Sequence, residues 1–377
     1  MMSNYKRIGD YIKLVDERNK GLKVQKLLGL SISKQFIPSV ANIIGTDMEN
    51  YKIIRKNQFA CSTMQVRRDG KMPVALLRDV EEAIISQAYP IFEVKDEKLL
   101  LPEYLMMWFT RSEFDREACF HAVGGVRGSL EWEDFENMQL PVPSIEKQRE
   151  IVAEYNAIQK RIKLNEQLIQ KLEETAQLVY REWFVDNVDE NWPWITVKDF
   201  CHDMRSGGTP SRAENKYWDS NDVPWIKTGE IKNNIVLKAE EYISFEGLKN
   251  SSAKLHPKGT VLMSMYGVNA GDIAILKFEA TTNQACCGMI CNSDEEAAFL
   301  YYHLLHNQEF IASQAVGGAQ ENLSKDFIEK IEILCPPFEL IKKSKLKALI
   351  DNKEVYTRQI HKLTELKALL LSKLASL

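Results

Sequence analysis

Few groups of residues in this sequence have the types and spacing that enzymatic chemistry requires. Glu93-Val94-Lys95, with Asp79 upstream, loosely fits the D…ExK pattern of metal-dependent nucleases, but a charged chain contains such triplets by chance. Cys335-Pro-Pro-Phe echoes an amino-methyltransferase motif whose first residue holds the target amino group through an amide or carboxylate, which a cysteine cannot do. No GxxxxGK[ST], GxGxxG or HExxH motif is present. The residues therefore predict neither catalysis nor a bound cofactor.

The cysteines predict buried thiols in a reducing compartment. There are seven, without a CxxC pair, and the N-terminus has no apolar signal segment, so we expect a cytoplasmic protein. Cys286, Cys287 and Cys291 cluster, but a zinc site needs a second ligand pair at matching spacing. No apolar run reaches the ~18 residues of a membrane span.

Two stretches suit binding better than catalysis. In MRSGGTPSRAENKYWDSNDVPWIKTGEIKNN (204–234), two glycines and a proline predict a loop that basic side chains decorate. The amides of such a loop suit phosphate oxygens, and Asn, Gln and Arg suit base edges. Its aromatic residues are more typical of a core than of base stacking. MYGVNAGDIAIL (265–276) predicts two strands around a turn, which fits a contact loop or a plain hairpin.

The net charge of −4 argues against a nucleic-acid partner, but the charge is unevenly distributed. Residues 1–78 contain 15 basic and 6 acidic side chains, a net charge of +9, and residues 79–145 contain 5 and 14, a net charge of −9. This pattern fits either a local basic face, which a polyanion would require, or a chance separation of charge between parts of one domain. Residues 187–338, with 13 basic and 21 acidic side chains, are net −8.

The elements that position these residues occur twice in the chain. AVGGVRGSL (122–130) returns as AVGGAQENL (315–323), an offset of 193 residues. Each copy follows a strand-like run containing Gln-Ala and a helix-like aromatic segment. Each precedes a strand, a proline stop and a long charged helix. The repeat predicts two similar domains of mixed α/β type in an α+β protein.

Both long helices carry apolar stripes whose spacing alternates between four and three residues, which predicts a coiled coil. The first stripe is Ile151, Tyr155, Ile158, Ile162, Asn165, Ile169, Leu172, Ala176 and Val179. The second is Leu346, Leu349, Lys353, Tyr356, Ile360, Leu363, Lys367, Leu370, Leu374 and Leu377. The three polar members predict register or orientation devices, because a polar core position costs stability and favours one pairing. Two separate amphipathic helices are the alternative.

An antiparallel pair would place the two domains at opposite ends of a rod with approximate twofold symmetry. A helix of ~36 residues is ~54 Å long at 1.5 Å per residue.

In their order, GGTPSR…YW…VPWIKTGEI, MSMYG…GDIAIL, TTNQAC, AVGG…L…DF, the Pro-Pro stop and the heptad helix resemble the specificity subunit of type I restriction-modification enzymes. The first half is similar to a second target-recognition domain of that family, through KLLGLSISKQFIPSVANIIGTDMENYKIIRKNQFACS, EEAIISQAYPIFEV and PVPSIEKQREIVA. The resemblance covers essentially the whole chain. We expect target-recognition domains at 1–144 and 187–337, a central conserved helix at 145–186 and a distal one at 338–377.

The resemblance implies a subunit of a phage-defence complex that specifies the DNA sequence and is not itself catalytic. Each target-recognition domain would read one half of a bipartite, asymmetric site in double-stranded DNA. The paired helices would set the spacer and dock two methyltransferase subunits, which would bind S-adenosylmethionine, and restriction/translocase subunits would complete the complex. Half-sites one turn apart, ~34 Å between centres, lie within reach of domains on such a rod.

Within this framework we expect polar residues of the predicted loops to contact DNA. In the first domain they are Lys34, Gln35, Lys52, Arg67, Arg68, Gln87 and Arg127. In the second they are Arg212, Lys227, Thr228, Asn233, Tyr266, Asn269, Gln284 and Gln320. The expected helix contacts are Ile151, Tyr155, Ile158, Ile162, Asn165, Ile169, Leu172, Leu349, Tyr356, Ile360, Leu363 and Leu370. Arg127 and Gln320 occupy the same place in the repeat, as different half-sites would require.

Two other functions fit parts of the sequence. Periodicity alone supports a coiled-coil scaffold with two protein-binding domains, which an even scatter of the basic residues of 1–78 would favour. Methyl-donor binding or metal-dependent cleavage would favour a lone methyltransferase or nuclease. Because 187–338 is acidic, we expect weak DNA binding by the chain alone. Tight binding with low salt sensitivity would contradict this expectation.

Overall fold

A computed structural model of the chain describes residues 5–39, 46–122, 128–315 and 322–377. They fall into two compact units, one formed by residues of 1–161 with 363–377 and the other by 162–362. Each unit therefore contains parts of both long helices.

Short antiparallel strands make up the sheets of the first unit. They are β1 (Tyr5–Arg7), β2 (Ile12–Val15), β3 (Leu28–Leu30), β4 (Phe36–Pro38), β5 (Lys52–Arg55), β6 (Phe59–Cys61), β7 (Val74–Leu76), β8 (Glu82–Ile85), β9 (Ile91–Val94) and β10 (Gln139–Pro141). The largest sheet has the order β2-β9-β6-β7, and the remaining strands pair as β3-β4, β5-β8 and β1-β10.

Aromatic side chains join this sheet to the helices of the first unit. The helices are α1 (Val66–Asp69), α2 (Pro102–Phe109), α3 (Ser112–His121), α4 (Trp132–Asn137) and the long α5 (Ile145–Arg181). Phe59 of β6 and Phe92 of β9 stack with their ring centroids 4.9 Å apart, and both meet Phe109 of α2 edge-on. Burying each ring stabilises the unit by roughly 1.5–3 kcal/mol.

The second unit has two larger sheets and a strand pair. Its strands are β11 (Trp194–Thr196), β12 (Asp203–Ser206), β13 (Val223–Ile226), β14 (Asn234–Val236), β15 (Glu241–Ile243), β16 (Val261–Ser264), β17 (Ile273–Leu276), β18 (Thr281–Thr282), β19 (Cys286–Ile290) and β20 (Glu332–Leu334). Their orders are β12-β19-β16-β17-β14, β15-β13-β18 and β11-β20. Only β13-β18 and β14-β17 are parallel among these described pairs. β19 is buried along its whole length, which explains its unbroken apolar sequence.

Several helices of the second unit start at side-chain caps. They are α6 (Val197–Phe200), α7 (Phe245–Lys249), α8 (Asp294–His306), α9 (Gln308–Ser313), α10 (Lys325–Glu329), α11 (Phe338–Lys343) and the long α12 (Leu346–Lys373). At α8 the Ser293 side chain accepts a hydrogen bond from the amide of Glu296, and three acidic residues fill the first turn. Both features stabilise a helix N-terminus.

In both units the first strand pairs antiparallel with the strand that precedes a long helix. Tyr5 of β1 lies opposite Pro141 of β10, and Trp194 of β11 lies opposite Leu334 of β20. The predicted α+β class, with a long helix after each repeated domain, is confirmed.

The long helices pack together in both units. In the first, Ile151 and Val152 of α5 share a core cluster with Leu371 of α12. In the second, Asn165 Nδ2 donates to Gln359 Oε1 at 3.1 Å, and Glu173 is paired with Lys353. Residue numbers increase along α5 while those of the contacting residues on α12 decrease, so the two helices run antiparallel. The helices therefore pair as predicted and are not separate amphipathic helices.

The stripe positions of both helices are withdrawn from solvent. Of the expected contact residues, Ile151, Ile158, Ile162 and Asn165 are buried. The partly buried ones are Tyr155, Ile169, Leu172, Leu349, Tyr356, Ile360, Leu363 and Leu370. Leu164, Leu168 and Leu178 lie off the stripe and are exposed. Spacing, rather than hydrophobicity alone, therefore decides which side chains are covered.

The distal helix is interrupted, unlike the continuous helix expected from Phe338 onward. α11 ends where the Ser344 hydroxyl donates to the carbonyl of Ile341 at 2.6 Å. Lys345 then has φ 61°, a left-handed conformation that a right-handed helix cannot contain. The long helix begins at Leu346, the first member of the predicted stripe.

Candidate nucleic-acid interface

One loop takes the same course in both units. We define the strand-end loop as residues 63–70, after β6, and residues 265–272, after β16. The carbonyl of Thr63 accepts a hydrogen bond from Leu130 N at 2.9 Å, and the carbonyl of Met265 accepts one from Leu323 N at 2.7 Å. Leu130 and Leu323 are the last residues of the two repeated AVGG motifs. The repeated motif therefore ends on the strand-end loop in both units.

The two strand-end loops also bend alike. Two residues after the accepting carbonyl, Gln65 has φ 63° and Gly267 has φ 76°. This left-handed conformation suits glycine but costs another residue about 1–2 kcal/mol. The loops are related by an offset of 202 residues and the AVGG motifs by 193, so the sequence repeat did not align them.

The side chains on this common backbone differ. Arg67 and Arg68 of the first loop correspond to Asn269 and Ala270 of the second. The exposed Arg67 packs against Gly128, where an added Cβ would lie 2.6 Å from the Arg67 Cβ. Its guanidinium has no ion-pair partner among the described residues, whereas Arg68 pairs with Asp69 at 2.6 Å. The first loop therefore has two arginines beside Asp69, whereas the second has no basic residue and one acidic residue, Asp272.

Asn269 is held by the adjacent loop, and Tyr266 is exposed. Asn269 Nδ2 donates to the carbonyl of Thr228 at 3.5 Å. Tyr266 forms a β-bridge with Asn322, which precedes Leu323. The structure therefore brings Arg67 and Arg68 together in one unit, and Thr228, Tyr266 and Asn269 in the other. Two further predicted contacts, Arg127 and Gln320, lie outside the described residues.

Lys34 belongs to the core of the first unit, contrary to the expectation that it contacts DNA. Its side chain is 7% exposed, and its Nζ lies 2.8 Å from Asp115 Oδ1 and donates to the carbonyl of Phe109. Burial lowers the pKa of Lys34, and the hydrogen bond with Asp115 partly opposes this shift. A phosphate could reach the ammonium only after this ion pair had separated.

The other residues predicted in the first unit remain at its surface or edge. Gln35 and Gln87 are exposed, and Gln87 Oε1 lies 3.5 Å from an Arg18 nitrogen. Lys52 is half-buried and donates to the carbonyl of Tyr89 at 3.2 Å. Lys52 and Gln87 thus lie around Arg18, which forms a β-bridge with Lys52.

Internal carboxylates neutralise the basic residues predicted in the second unit. Arg212 pairs with Glu241 at 2.8 Å, and its guanidinium carbon lies 3.4 Å from the centroid of the Trp218 ring. Lys227 pairs with Glu241 at 2.9 Å and with Glu240 at 3.2 Å. The hydrogen bond with Glu241 raises the pKa of Lys227. Both cations would have to give up these partners to bind phosphate fully.

Asn233 and Gln284 also have internal partners. Asn233 Oδ1 accepts from Ile273 N and from Gln308 Nε2, both at 3.1 Å, and its backbone is left-handed at φ 53°. Gln284 is exposed and accepts from the Thr209 hydroxyl. The side chain of Asn233 therefore stabilises the fold through these internal hydrogen bonds.

The glycine pair of the second unit permits close packing and does not offer free amides. Gly207 N donates to the carbonyl of Cys286, and Gly208 N donates to that of Thr282. A Cβ on Gly207 would lie 2.1 Å from Thr282 Oγ1, so a larger residue does not fit. The phosphate-binding interpretation of these amides is therefore wrong. The neighbouring Trp225 is a core residue, as its context predicts.

Ion pairs within the first unit join its basic and acidic sequence blocks. Arg55 of β5 lies opposite Glu82 of β8, with their charged atoms 2.5 Å apart. Lys13 of β2 lies opposite Glu93 of β9 at 2.9 Å. Further pairs across the same divide are Lys56–Glu81, Arg78–Glu103 and Lys34–Asp115. Acidic side chains of 79–145 thus neutralise part of the basic excess of 1–78 within one domain.

Glu93 and Lys95 of the D…ExK pattern form internal hydrogen bonds, and Cys287 is buried. Glu93 also accepts from Gln58 at 2.7 Å, and Lys95 donates to the carbonyl of Gly9 at 2.8 Å. Burial raises the pKa of Cys287 to about 12, which disfavours a metal-binding thiolate. In the described parts of the chain, no three His, Cys, Asp or Glu side chains are grouped to hold a metal ion. No helix there is long and apolar enough to cross a bilayer.

Comparison with known proteins places the chain among DNA-specificity proteins. The family described as "Type I restriction modification DNA specificity domain" matches residues 38–174 and 189–366. The MjaIX specificity subunit of Methanocaldococcus jannaschii is 26% identical over 194 residues, which cover 49% of this chain and 44% of that one. This chain thus spans less than half of that relative's length. The HindI specificity subunit of Haemophilus influenzae is 20% identical over 415 residues, 89% of either chain.

A solved structure shares the fold. The S subunit of a type I restriction-modification system from M. genitalium has a TM-score of 0.62 at 15% identity, covering 98% of this chain and 95% of that one. Because the two family matches span both repeated halves, the chain belongs to the family of type I restriction-modification DNA specificity domains.

Proposed function

We propose that this chain is the specificity subunit of a type I restriction-modification complex and reads a bipartite DNA site, one half with each unit. The observation that carries the proposal is the strand-end loop, whose backbone is shared and whose side chains differ. Arg67 and Arg68 suit phosphate or guanine, and Asn269 suits adenine. A common frame with different polar groups is what two unlike half-sites require.

The proposal assigns the remaining segments to assembly. Residues 1–144 and 187–337 are the target-recognition domains, and the helices of 145–186 and 338–377 set the spacer and dock two methyltransferase subunits. The chain itself is non-catalytic. S-adenosylmethionine binds to the methyltransferase, restriction/translocase subunits join the complex, and it acts on DNA in the cytoplasm. The paired stripes support this assignment, because each unit contains parts of both long helices.

The predicted contacts divide into two groups under this proposal. Arg67, Arg68, Tyr266 and Asn269 lie on the strand-end loops and contribute most. Gln35, Lys52, Gln87, Arg127, Thr228, Gln284 and Gln320 supply further contacts. Arg212 and Lys227 add less, because binding phosphate would break their pairs with Glu241. The isolated chain therefore binds DNA weakly, and the methyltransferase supplies much of the positive charge.

Selection from random duplex DNA tests the proposal. The chain, co-purified with its cognate methyltransferase, should enrich two short fixed blocks separated by a fixed non-specific gap. A single continuous motif would mean that one unit alone reads DNA. No enrichment by a stable complex would favour a protein scaffold instead.

Two variants and a control sharpen that selection. Arg67→Ala with Arg68→Ala should relax or weaken one block only and reduce the salt slope by about one to two. Asn269→Ala should relax only the other block. Arg55→Ala removes an exposed arginine that is already paired with Glu17 and Glu82 and should leave both blocks unchanged. Loss of both blocks in either loop variant would contradict the proposal that each unit reads one block.

A further inference from the structure

We propose that in each unit an exposed side chain of the strand-end loop and an exposed phenylalanine on the neighbouring helix contact the base stack of duplex DNA. They are Met64 and Phe120 in the first unit and Tyr266 and Phe310 in the second. This inference rests on the proposed function and specifies how each unit engages its half-site. The paired residues provide apolar contact in addition to polar base reading.

In the first unit the two residues lie on neighbouring elements. Met64 follows the accepting carbonyl of Thr63 and is 47% exposed. Phe120 is 84% exposed near the end of α3, the helix that leads into the AVGG motif. α3 is held to α1 of the strand-end loop, because Cys119 Sγ donates to the carbonyl of Val66 at 3.4 Å. Phe120 is thus anchored beside the loop that carries Arg67 and Arg68.

The second unit has the same arrangement built from different residues. Tyr266 follows the accepting carbonyl of Met265 and is 38% exposed. Phe310 is 63% exposed on α9, the helix before the second AVGG motif. α9 packs on the strand-end loop, since Gln308 Nε2 donates to the carbonyl of Gly271 at 3.3 Å and an added Cβ on Gly271 would touch Ala312 at 3.4 Å.

Both phenylalanines lie among the last four residues of the helix that precedes the repeated AVGG motif. Phe120 precedes Ala122 by two residues, and Phe310 precedes the equivalent Ala315 by five. Positions three residues apart are neighbours on one side of a helix. A single exposed aromatic residue is ordinary, but an exposed phenylalanine on the corresponding helix of both units requires an explanation.

DNA fits this surface better than a protein partner does. Two copies of one methyltransferase would meet similar polar chemistry on both units, whereas the loops carry Arg67 and Arg68 in one and Asn269 and Ala270 in the other. The feature that the units share is an exposed phenylalanine beside an exposed Met or Tyr. Every base offers an apolar face, and apolar side chains inserted at base steps tolerate different sequences. The shared residues thus suit the property that both half-sites have in common.

The test uses the complex with its methyltransferase and duplexes that carry 2-aminopurine at successive positions of the selected site. Wild type should raise the fluorescence within each half-site. Phe120→Ala should abolish the rise in one half only, Phe310→Ala in the other, and each should weaken binding about 10-fold. Phe120→Trp and Phe310→Trp should restore both readouts.

Matched controls separate the outcomes. Leu99→Ala and Trp194→Ala remove exposed apolar side chains on other elements and should change neither readout. Unchanged binding and fluorescence in both phenylalanine variants would overturn the inference. Loss of the methyltransferase from the variant complex on size exclusion would also overturn it and identify a protein contact. If wild type selects no bipartite site, the proposed function itself fails, which is a distinct result.

Discussion

Each unit buries a lysine against a carboxylate, but at different places in its architecture. In the first, Lys34 pairs with Asp115 of α3 inside the domain, with the Phe114 ring centroid 5.1 Å from its Nζ. In the second, Lys353 of α12 pairs with Glu173 of α5, and its Nζ lies 5.5 Å from the ring centroid of Tyr301 on α8. The first pair supports the domain, and the second ties the helix pair to the domain.

The difference shows that the part of the helix pair in the first unit and the part in the second unit have different roles. The part in the first unit is closed by apolar side chains such as Ile151 and Leu371. The part in the second contains Asn165 with Gln359 and Glu173 with Lys353. Apolar layers tolerate a shift of register, whereas a buried polar pair is lost when the helices slip. The register of the helix pair is therefore set mainly in the second unit.

Removing either carboxylate should have the largest effect, because it should destabilise mainly the unit that contains that ion pair. Asp115→Ala and Glu173→Ala each leave a lysine buried without its partner, which should lower the free energy of unfolding by about 3–5 kcal/mol. Hydrogen exchange followed by peptide mass spectrometry should show the loss in the affected unit. Replacing both partners, as in Lys34→Met with Asp115→Leu or Lys353→Met with Glu173→Leu, should recover much of it. Equal loss in both units would contradict separate roles.

Acid should destabilise the second unit more than the first. The difference should be slightly smaller than the effect of removing either carboxylate. Burial lowers the pKa of His256 and of His303 to about 4, and both lie in the second unit. As pH falls from 6.5 to 4, the unfolded chain takes up these protons first, so the second unit should lose up to about 3 kcal/mol per histidine. No histidine among the described residues of the first unit is buried.

Hydrogen exchange at pH 7.0, 5.5 and 4.5, corrected for intrinsic exchange rates, measures this difference. His256→Gln with His303→Gln should lower stability at pH 7 but flatten its pH dependence in this window. An unchanged slope in that variant would assign the acid sensitivity to other groups.

Replacing Asn165 with an apolar residue should make the protein more stable but should allow α5 and α12 to pair in more than one register. Its Oδ1 is buried and has no hydrogen-bond partner among the residues that the structure describes. Asn165→Ile should therefore raise the free energy of unfolding by about 1–2 kcal/mol. Distances between spin labels placed on α5 and α12 should broaden as alternative registers become populated. Ile162→Leu, a volume-conserving change one step along the stripe, should leave those distances narrow.

The smallest expected effects concern the left-handed positions of the strand-end loops. Gln65→Gly should stabilise the first unit by up to about 1 kcal/mol, and Gly267→Ala should destabilise the second by a similar amount. Urea unfolding measures both. Effects of the same sign would show that the two loops do not share this backbone requirement.

Local patterns in the sequence predicted the features that depend on spacing along one element. The alternating stripes required only helical periodicity, so the covered positions from Ile151 to Val179 could be read directly. The repeat likewise predicted two α+β domains, because similar segments recur in the same order in both halves. The interruption at Lys345 was missed, since a left-handed lysine has no compositional signal.

Only the tertiary structure decided which polar residues are available for binding. Lys34 and Arg67 are both basic loop residues in the sequence, yet folding buries one against Asp115 and leaves the other exposed beside Gly128. The glycine pair at Gly207 was attributed to binding because no sequence feature reveals that Thr282 occupies the space of its missing Cβ. The strand-end loops remained hidden because their offset differs from that of the AVGG motifs. Periodicity is a property of neighbours in the chain, whereas exposure and ion pairing depend on residues that only folding brings together.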